Sequence, residues 1–293
     1  MLQIWFAGSQ FSKYATRDFA IWTESYGGHY GPVFASYFID QNTAIAAGKI
    51  NGIKINLKYA MSNPYHPLVN ESTIKSANNS LYGIGGCMDQ IAACNKDISI
   101  DTVCTDAQLY CNSKVLSPLA GDYNVYDVRM KNSDPNPYPY DPSKLLTDPS
   151  FRNKIGAEKN WTTTNLQVYA NFAVRGDWMR SSRPLLEKVI NAGVRTLILA
   201  GDADYICNYM GFESMVDALQ TRFANEFKQQ VWSNWTVAGI AAGQYKNAGT
   251  LSYLRVDQAG HEVPAYGNGK LEVGQAALVY FTQFMQGEPI SSD

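Results

Sequence analysis

Residues 20–29 read AIWTESYGGH, an apolar run that stops at a polar turn and passes into two glycines. With Asp18 and Phe19 the run predicts a strand over residues 18–23, DFAIWT. A helix is expected after the turn, from about Pro32 through VFASYFIDQNTAIAAG to Gly48. Proline is tolerated in a first helical turn and glycine ends helices. A serine at such a junction has two uses. It can cap the helix, or it can stand on a sharp turn with its hydroxyl exposed as a nucleophile. The second use demands a base and an acid elsewhere in the chain.

Working outward, strand-like and helix-like segments alternate. Residues 183–193, RPLLEKVINAG, have helical spacing and a terminal glycine. Residues 194–202, VRTLILAGD, are a short apolar run suited to a strand covered on both faces. A helix is expected over 211–227, a strand over 249–257 and a closing helix over 270–287. Residues 53–60, IKINLKYA, read as a further extended stretch, and residues 2–11 as an amphipathic helix. This alternation is that of an α/β sheet. Between the halves, residues 64–170 change character and hold a turn-rich patch, NSDPNPYPYDPS, whose prolines exclude regular helix or central strand. The expected organisation is a core over 1–63, an insertion or cap over 64–170, and the rest of the core over 171–293.

The 293 residues, 45% hydrophobic, suffice for a sizeable core. A net charge of −2 gives no electrostatic reason to expect nucleic acid as a partner. No apolar run is long enough to span a bilayer. Four of the five cysteines, Cys87, Cys94, Cys104 and Cys111, are spaced C-x6-C-x9-C-x6-C. The symmetry suits nested bridges Cys87–Cys111 and Cys94–Cys104, although four cysteines allow three pairings. A zinc site is the rival, disfavoured by the lack of a C-x2-C pair or neighbouring histidine, and no metal is expected. Disulfides imply an oxidising compartment. Glycosylation sequons at Asn70, Asn78, Asn160 and Asn234 agree with it. No secretory signal opens the sequence, so a secreted or vacuolar-type location leads to the expectation that the natural N-terminus lies upstream.

Order along the chain strengthens the nucleophile reading. On an α/β-hydrolase the serine is followed by an acid and then a histidine, the last two on loops after strands. LILAGDAD places Asp202 and Asp204 beyond one strand, and LRVDQAGHEVP places His261 beyond the next. Of the other two histidines, His29 is too near Ser25 in sequence, and His66 opens the insertion.

ESYGGHYGP, GDADYICNYMG and AGHEVP together resemble the serine carboxypeptidase family of the carboxypeptidase Y type, whose corresponding segments read G-E-S-Y-A-G-H-Y, G-D-x-D-x-I-C-N and G-G-H-x-V-P. FAVRGDWMRS (172–181) resembles a further segment of that family. The resemblance implies an α/β-hydrolase fold with a partial sheet and a disulfide-bearing insertion. It assigns Ser25 as nucleophile, Asp204 as acid, His261 as base and the Tyr26 N–H as an oxyanion donor. Glu24 would help bind a substrate's terminal carboxylate, and Cys207 would be a free thiol near the substrate pocket. Two departures stand out: Thr23 replaces the first glycine of the turn, and Glu262 follows His261, a position expected to influence the base or the leaving-group side. The family's W-N-G-G-P-G-C-S-S segment, which supplies the second oxyanion donor and a carboxylate-binding asparagine, does not occur here. The implied activity is release of C-terminal residues from peptides without a cofactor, with acidic pH favoured. A catalytically impaired fragment or binding module, and an acyltransferase using the same triad, remain the other readings.

Overall fold

The structure is a computed structural model describing residues 11–14, 17–47, 64–134 and 142–292. The helix expected over 2–11 lies outside them but for Phe11, and the extended stretch 53–60 lies wholly outside. In chain order the principal elements are α1 (Gly27–Ala47), α2 (Glu71–Tyr82), α3 (Cys87–Lys96), α4 (Asp101–Cys111), β1 (Tyr123–Asn124), β2 (Asp127–Lys131) and α5 (Leu166–Ala173). They continue with α6 (Arg183–Asn191), β3 (Thr196–Gly201), α7 (Tyr209–Asp217), α8 (Ala224–Gln229), β4 (Ser233–Val237), β5 (Ile240–Ala248), β6 (Leu251–Val256) and α9 (Gln275–Met285).

Strands β3 to β6 form one sheet in the order β3-β6-β5-β4. β3 and β6 are parallel, with Thr196 opposite Leu251 and Gly201 opposite Val256. β5 is antiparallel to both its neighbours. The period-two alternation of strands explains the two cores. Leu251 and Tyr253 of β6, with Ala200 of β3, face a cluster built with Leu186 and Ile190 of α6 and Met215 of α7. Leu254 and Val256 face the other side, with Trp235, Ala276 and Tyr280. Burying each such large side chain contributes about 1.5–3 kcal/mol.

Three expectations need correction. Residues 18–24 form no strand, because none of them joins a ladder among the described residues. Trp22 packs instead on α9, with ring centroids 5.0 Å from Phe281 and 5.3 Å from Phe284. The helix expected over 211–227 is two helices. The turn between α7 and α8 is drawn to α6, where Glu187 Oε1 accepts from the Gln220 N–H (2.8 Å) and Asn191 Oδ1 from the Arg222 N–H (2.8 Å). Finally, α1 starts at Gly27 rather than near Pro32, so the turn runs straight into the helix.

The segment after residue 64 begins with helices. Asn70 caps α2 through its side chain, accepting from Thr73 N at 2.9 Å. α3 and α4 form a helical hairpin closed by disulfides Cys87–Cys111 and Cys94–Cys104, with all four cysteines buried. The hairpin docks on residues 176–181. Asn95 donates to Met179 O (2.7 Å) and accepts from Ser181 N (2.5 Å), and Arg180 pairs with Asp101 (2.5 Å).

Candidate active site

The turn before α1 carries the first feature. Ser25 has φ 54, a left-handed conformation that costs a residue with a Cβ about 1–2 kcal/mol. Local bonds hold it. Gly27 N donates to Glu24 O (2.7 Å), Gly28 N to Ser25 O (2.9 Å) and His29 N to Tyr26 O (2.9 Å). Ser25 is exposed at the tip. Thr23, at the position where the resembling pattern has glycine, lies against the first turns of α1. A Cβ on Gly27 would sit 2.7 Å from Thr23 Cβ, and one on Gly31 would sit 2.9 Å from Thr23 Cγ2. The two glycines make the room that the threonine fills.

Parallel pairing of β3 and β6 brings the next two residues together, since the loops leaving their C-terminal ends emerge on the same sheet edge. Asp204 follows β3 and His261 follows β6. His261 Nδ1 lies 2.8 Å from Asp204 Oδ2, and both side chains are about 95% buried. A carboxylate only accepts, so the proton of this bond sits on Nδ1. Asp204 Oδ1 also accepts from Cys207 N at 3.1 Å. Burial opposes charging His261, but the hydrogen bond to Asp204, with the negative charges of Asp204, Glu24 and Glu262, carries its pKa above the usual histidine range.

Glu24 and Glu262 therefore both belong to the electrostatic surroundings of His261. The Glu24 carboxyl is pushed up by burial first and then by the charge of Glu262, with His261 opposing. That of Glu262 is pushed up by burial, again opposed by His261. Cys207 forms no disulfide, and its sulfur, an Asp204 oxygen and a His261 nitrogen lie within 4.8 Å of one another. These three are a chemically possible cation trio, but the Asp204–His261 hydrogen bond already accounts for two of them. Asp202, the other acid of GDAD, accepts from Tyr65 OH at 2.7 Å and is pushed by burial up to about 6.

Several residues of the site went unread in the sequence. Asp177 accepts a short hydrogen bond from Tyr26 OH and lies 3.4 Å from His29 Nε2, while the Tyr26 and His29 rings stack at 4.9 Å. Burial opposes ionisation of Asp177, but bonds from His29 and Tyr26 hold its carboxyl below the usual range. Its only sequence signal is membership of FAVRGDWMRS. On β2, Arg129 pairs with the buried Asp127 at 2.6 Å, signalled by two opposite charges at i and i+2 in a short strand. The sequon residues Asn70, Asn78, Asn160 and Asn234 are all exposed. Among the described residues, no helix is long and apolar enough to cross a membrane.

A family model described as serine carboxypeptidase matches residues 1–286. Carboxypeptidase S1 of Penicillium janthinellum is 35% identical over 318 residues, covering 100% of this chain and 71% of the relative. Carboxypeptidase Y homolog A of Coccidioides posadasii is 32% identical over 95% of this chain and 54% of its own. Carboxypeptidase Y of Schizosaccharomyces pombe is 32% identical over 90% of this chain and 29% of its own. The crystal structure of Kex1(delta)p, a prohormone-processing carboxypeptidase from Saccharomyces cerevisiae, superposes with a TM-score of 0.65 at 21% identity, over 97% of this chain and 65% of that one. That likeness shows the α/β-hydrolase fold. The chain thus spans 71% of one relative and about half or less of the two carboxypeptidase Y relatives.

Proposed function

The chain belongs to the serine carboxypeptidase family, and from that premise we propose that it releases C-terminal residues from peptides through an acyl-enzyme on Ser25. The observation that carries the reading is the buried Asp204–His261 couple, set on the sheet edge where parallel strands end. The chemistry follows from the tautomer. With Nδ1–H given to Asp204, Nε2 is left to take the proton from Ser25 as its oxygen attacks the last peptide carbonyl. The backbone N–H of Tyr26, at the start of α1, stabilises the oxyanion, aided by the helix dipole. His261 returns the proton to the leaving amine, and water then releases the acyl group by the same route in reverse.

Glu24 gives the reaction its exopeptidase character. A carboxyl that stays protonated into mildly acidic pH can donate to a substrate's terminal carboxylate, whereas an ionised one would repel it. The raised Glu24 pKa supports working at mildly acidic pH, with an acid limit set by His261, whose own raised pKa means that Nε2 is already protonated below it. Glu262 sits beside the base, where it meets the leaving residue. Residues 64–170 act as the cap over this edge. The disulfides and four exposed sequons support a glycosylated protein of the secretory or vacuolar lumen.

The test is labelling by a fluorophosphonate. The reading expects one equivalent to attach at Ser25, and His261→Gln to slow labelling by roughly 10³-fold or more. A folded protein that is not labelled, or is labelled equally after Ser25→Ala, would overturn it.

A further inference from the structure

Residues 125–129, at the turn between β1 and β2, touch both loops of the acid–base couple. On the acid loop, Val125 O accepts from Tyr205 N (3.2 Å) and Ile206 N (3.1 Å), just after Asp204, and Val128 N donates to Ala203 O (2.9 Å), just before it. On the histidine loop, His261 N donates to Tyr126 O (2.9 Å), and the two rings lie 4.9 Å apart. The packing is close: a Cβ on Gly260 would come within 2.4 Å of Tyr126 O. Three residues of this turn, Val125, Tyr126 and Val128, thereby bear on the distance between acid and base.

One side chain ties this turn to the histidine loop. Arg129 grips Asp127 with two donors, Nε to Oδ1 (2.8 Å) and Nη2 to Oδ2 (2.6 Å), and Asp127 is 2% exposed. The remaining arm, Nη1, donates to Gln258 O at 3.0 Å. The guanidinium also lies 5.5 Å from the ring centroids of Tyr65 and Tyr266. Gln258 has φ 58, so the turn three residues before His261 holds a strained residue that needs outside support. Tyr65 reaches the other loop through Asp202.

We propose that Arg129 is a positioning residue, which holds the Gln258 carbonyl and so fixes the His261 imidazole against Asp204. The proposal rests on the reading of that pair as the acid–base couple of the reaction. It requires arginine: lysine is a compact point donor and cannot fork onto Asp127 while also reaching Gln258.

The His261 Nδ1–H proton, held between imidazolium and carboxylate, gives a far-downfield proton resonance, assigned by its loss in His261→Gln. We expect that resonance to broaden or vanish in Arg129→Lys and Arg129→Leu. The kcat per titrated active site is expected to fall roughly 10–100-fold, with KM within about twofold. Val237→Ala, in the core cluster with Trp235, serves as a control that lowers stability without moving either readout. A folded Arg129→Leu variant that keeps the resonance and kcat would overturn the proposal, as would full rescue by lysine. The resonance is read without substrate, so an inactive wild-type protein would defeat the functional reading and still leave the positioning claim decided.

Discussion

Ser25 owes its setting to an exchange of bulk between turn and helix. The family pattern has glycine before the glutamate and alanine after the tyrosine; this chain has Thr23 and Gly27. A Cβ at Gly27 would fall 2.7 Å from Thr23 Cβ, so the turn departs from the pattern at two matched positions instead of being strained at one. Gly27→Ala is expected to destabilise by about 1–3 kcal/mol, as overpacking does, and Thr23→Gly in the same chain to restore the loss. A double-mutant cycle by chemical denaturation reads both. Two glutamates, Glu24 and Glu262, raise the pKa of His261. Glu262→Gln removes a negative charge from beside His261, so the histidine pKa measured by NMR falls. Glu24→Gln keeps a donor that cannot ionise, so KM stops rising on the alkaline side of the profile, whose limbs belong to the coupled set. Ser25, Asp204 and His261 were each nameable from the sequence because serine, acid and histidine follow in order. Asp177 and Arg129 were not, since their partners Tyr26 and Gln258 are 151 and 129 residues away.

Elements were legible where their own periodicity dominates. β3 and β6 are short apolar runs and α6 has a clean apolar stripe, so all three stand within two or three residues of expectation. The β4–β5 hairpin went unread. Its strands contain Asn234, Gly243 and Gln244, which have low strand preference, and its signal is the two-residue turn at Ala238 and Gly239, with φ 51 and 69. The α7–α8 break was equally hidden, being set by side chains of α6. The disulfide hairpin α3–α4 bears on the site through its docking to residues 176–181, which include Asp177. Removing the Cys94–Cys104 bridge, which closes 10 residues of sequence, is expected to cost about 2–3 kcal/mol. Activity should fall further than the folded fraction does, because Asp177 loses its support for Tyr26. Comparing active-site titration with kcat in a Cys94→Ala, Cys104→Ala variant checks this.

At the scale of the molecule, several carboxyls are held above their usual range. Burial raises the pKa values of Glu24, Asp202, Glu213, Asp257 and Glu262. A carboxyl raised on folding contributes stability below its unfolded pKa and loses it as pH rises through the folded value. His261, also raised, behaves in the same direction. Asp177 is lowered and contributes above its unfolded pKa, losing that as pH falls. Stability should therefore peak in the mildly acidic range and decline towards pH 8. Asp202, at about 6, accounts for up to about 3 kcal/mol of that decline from its shift. Asp202→Asn is expected to raise Tm at pH 8 and leave it nearly unchanged at pH 4.5, as calorimetry at the two pH values would register.

The central claim is that this fold carries a serine-dependent exopeptidase. Mass spectrometry of a blocked peptide incubated with the protein at mildly acidic pH tests it most directly, with the free-acid and C-terminally amidated forms side by side. The account predicts stepwise loss of single residues from the free-acid C-terminus, sparing of the amide, and abolition by Ser25→Ala. Internal cleavage of both peptides, or equal cleavage by Ser25→Ala, would contradict it.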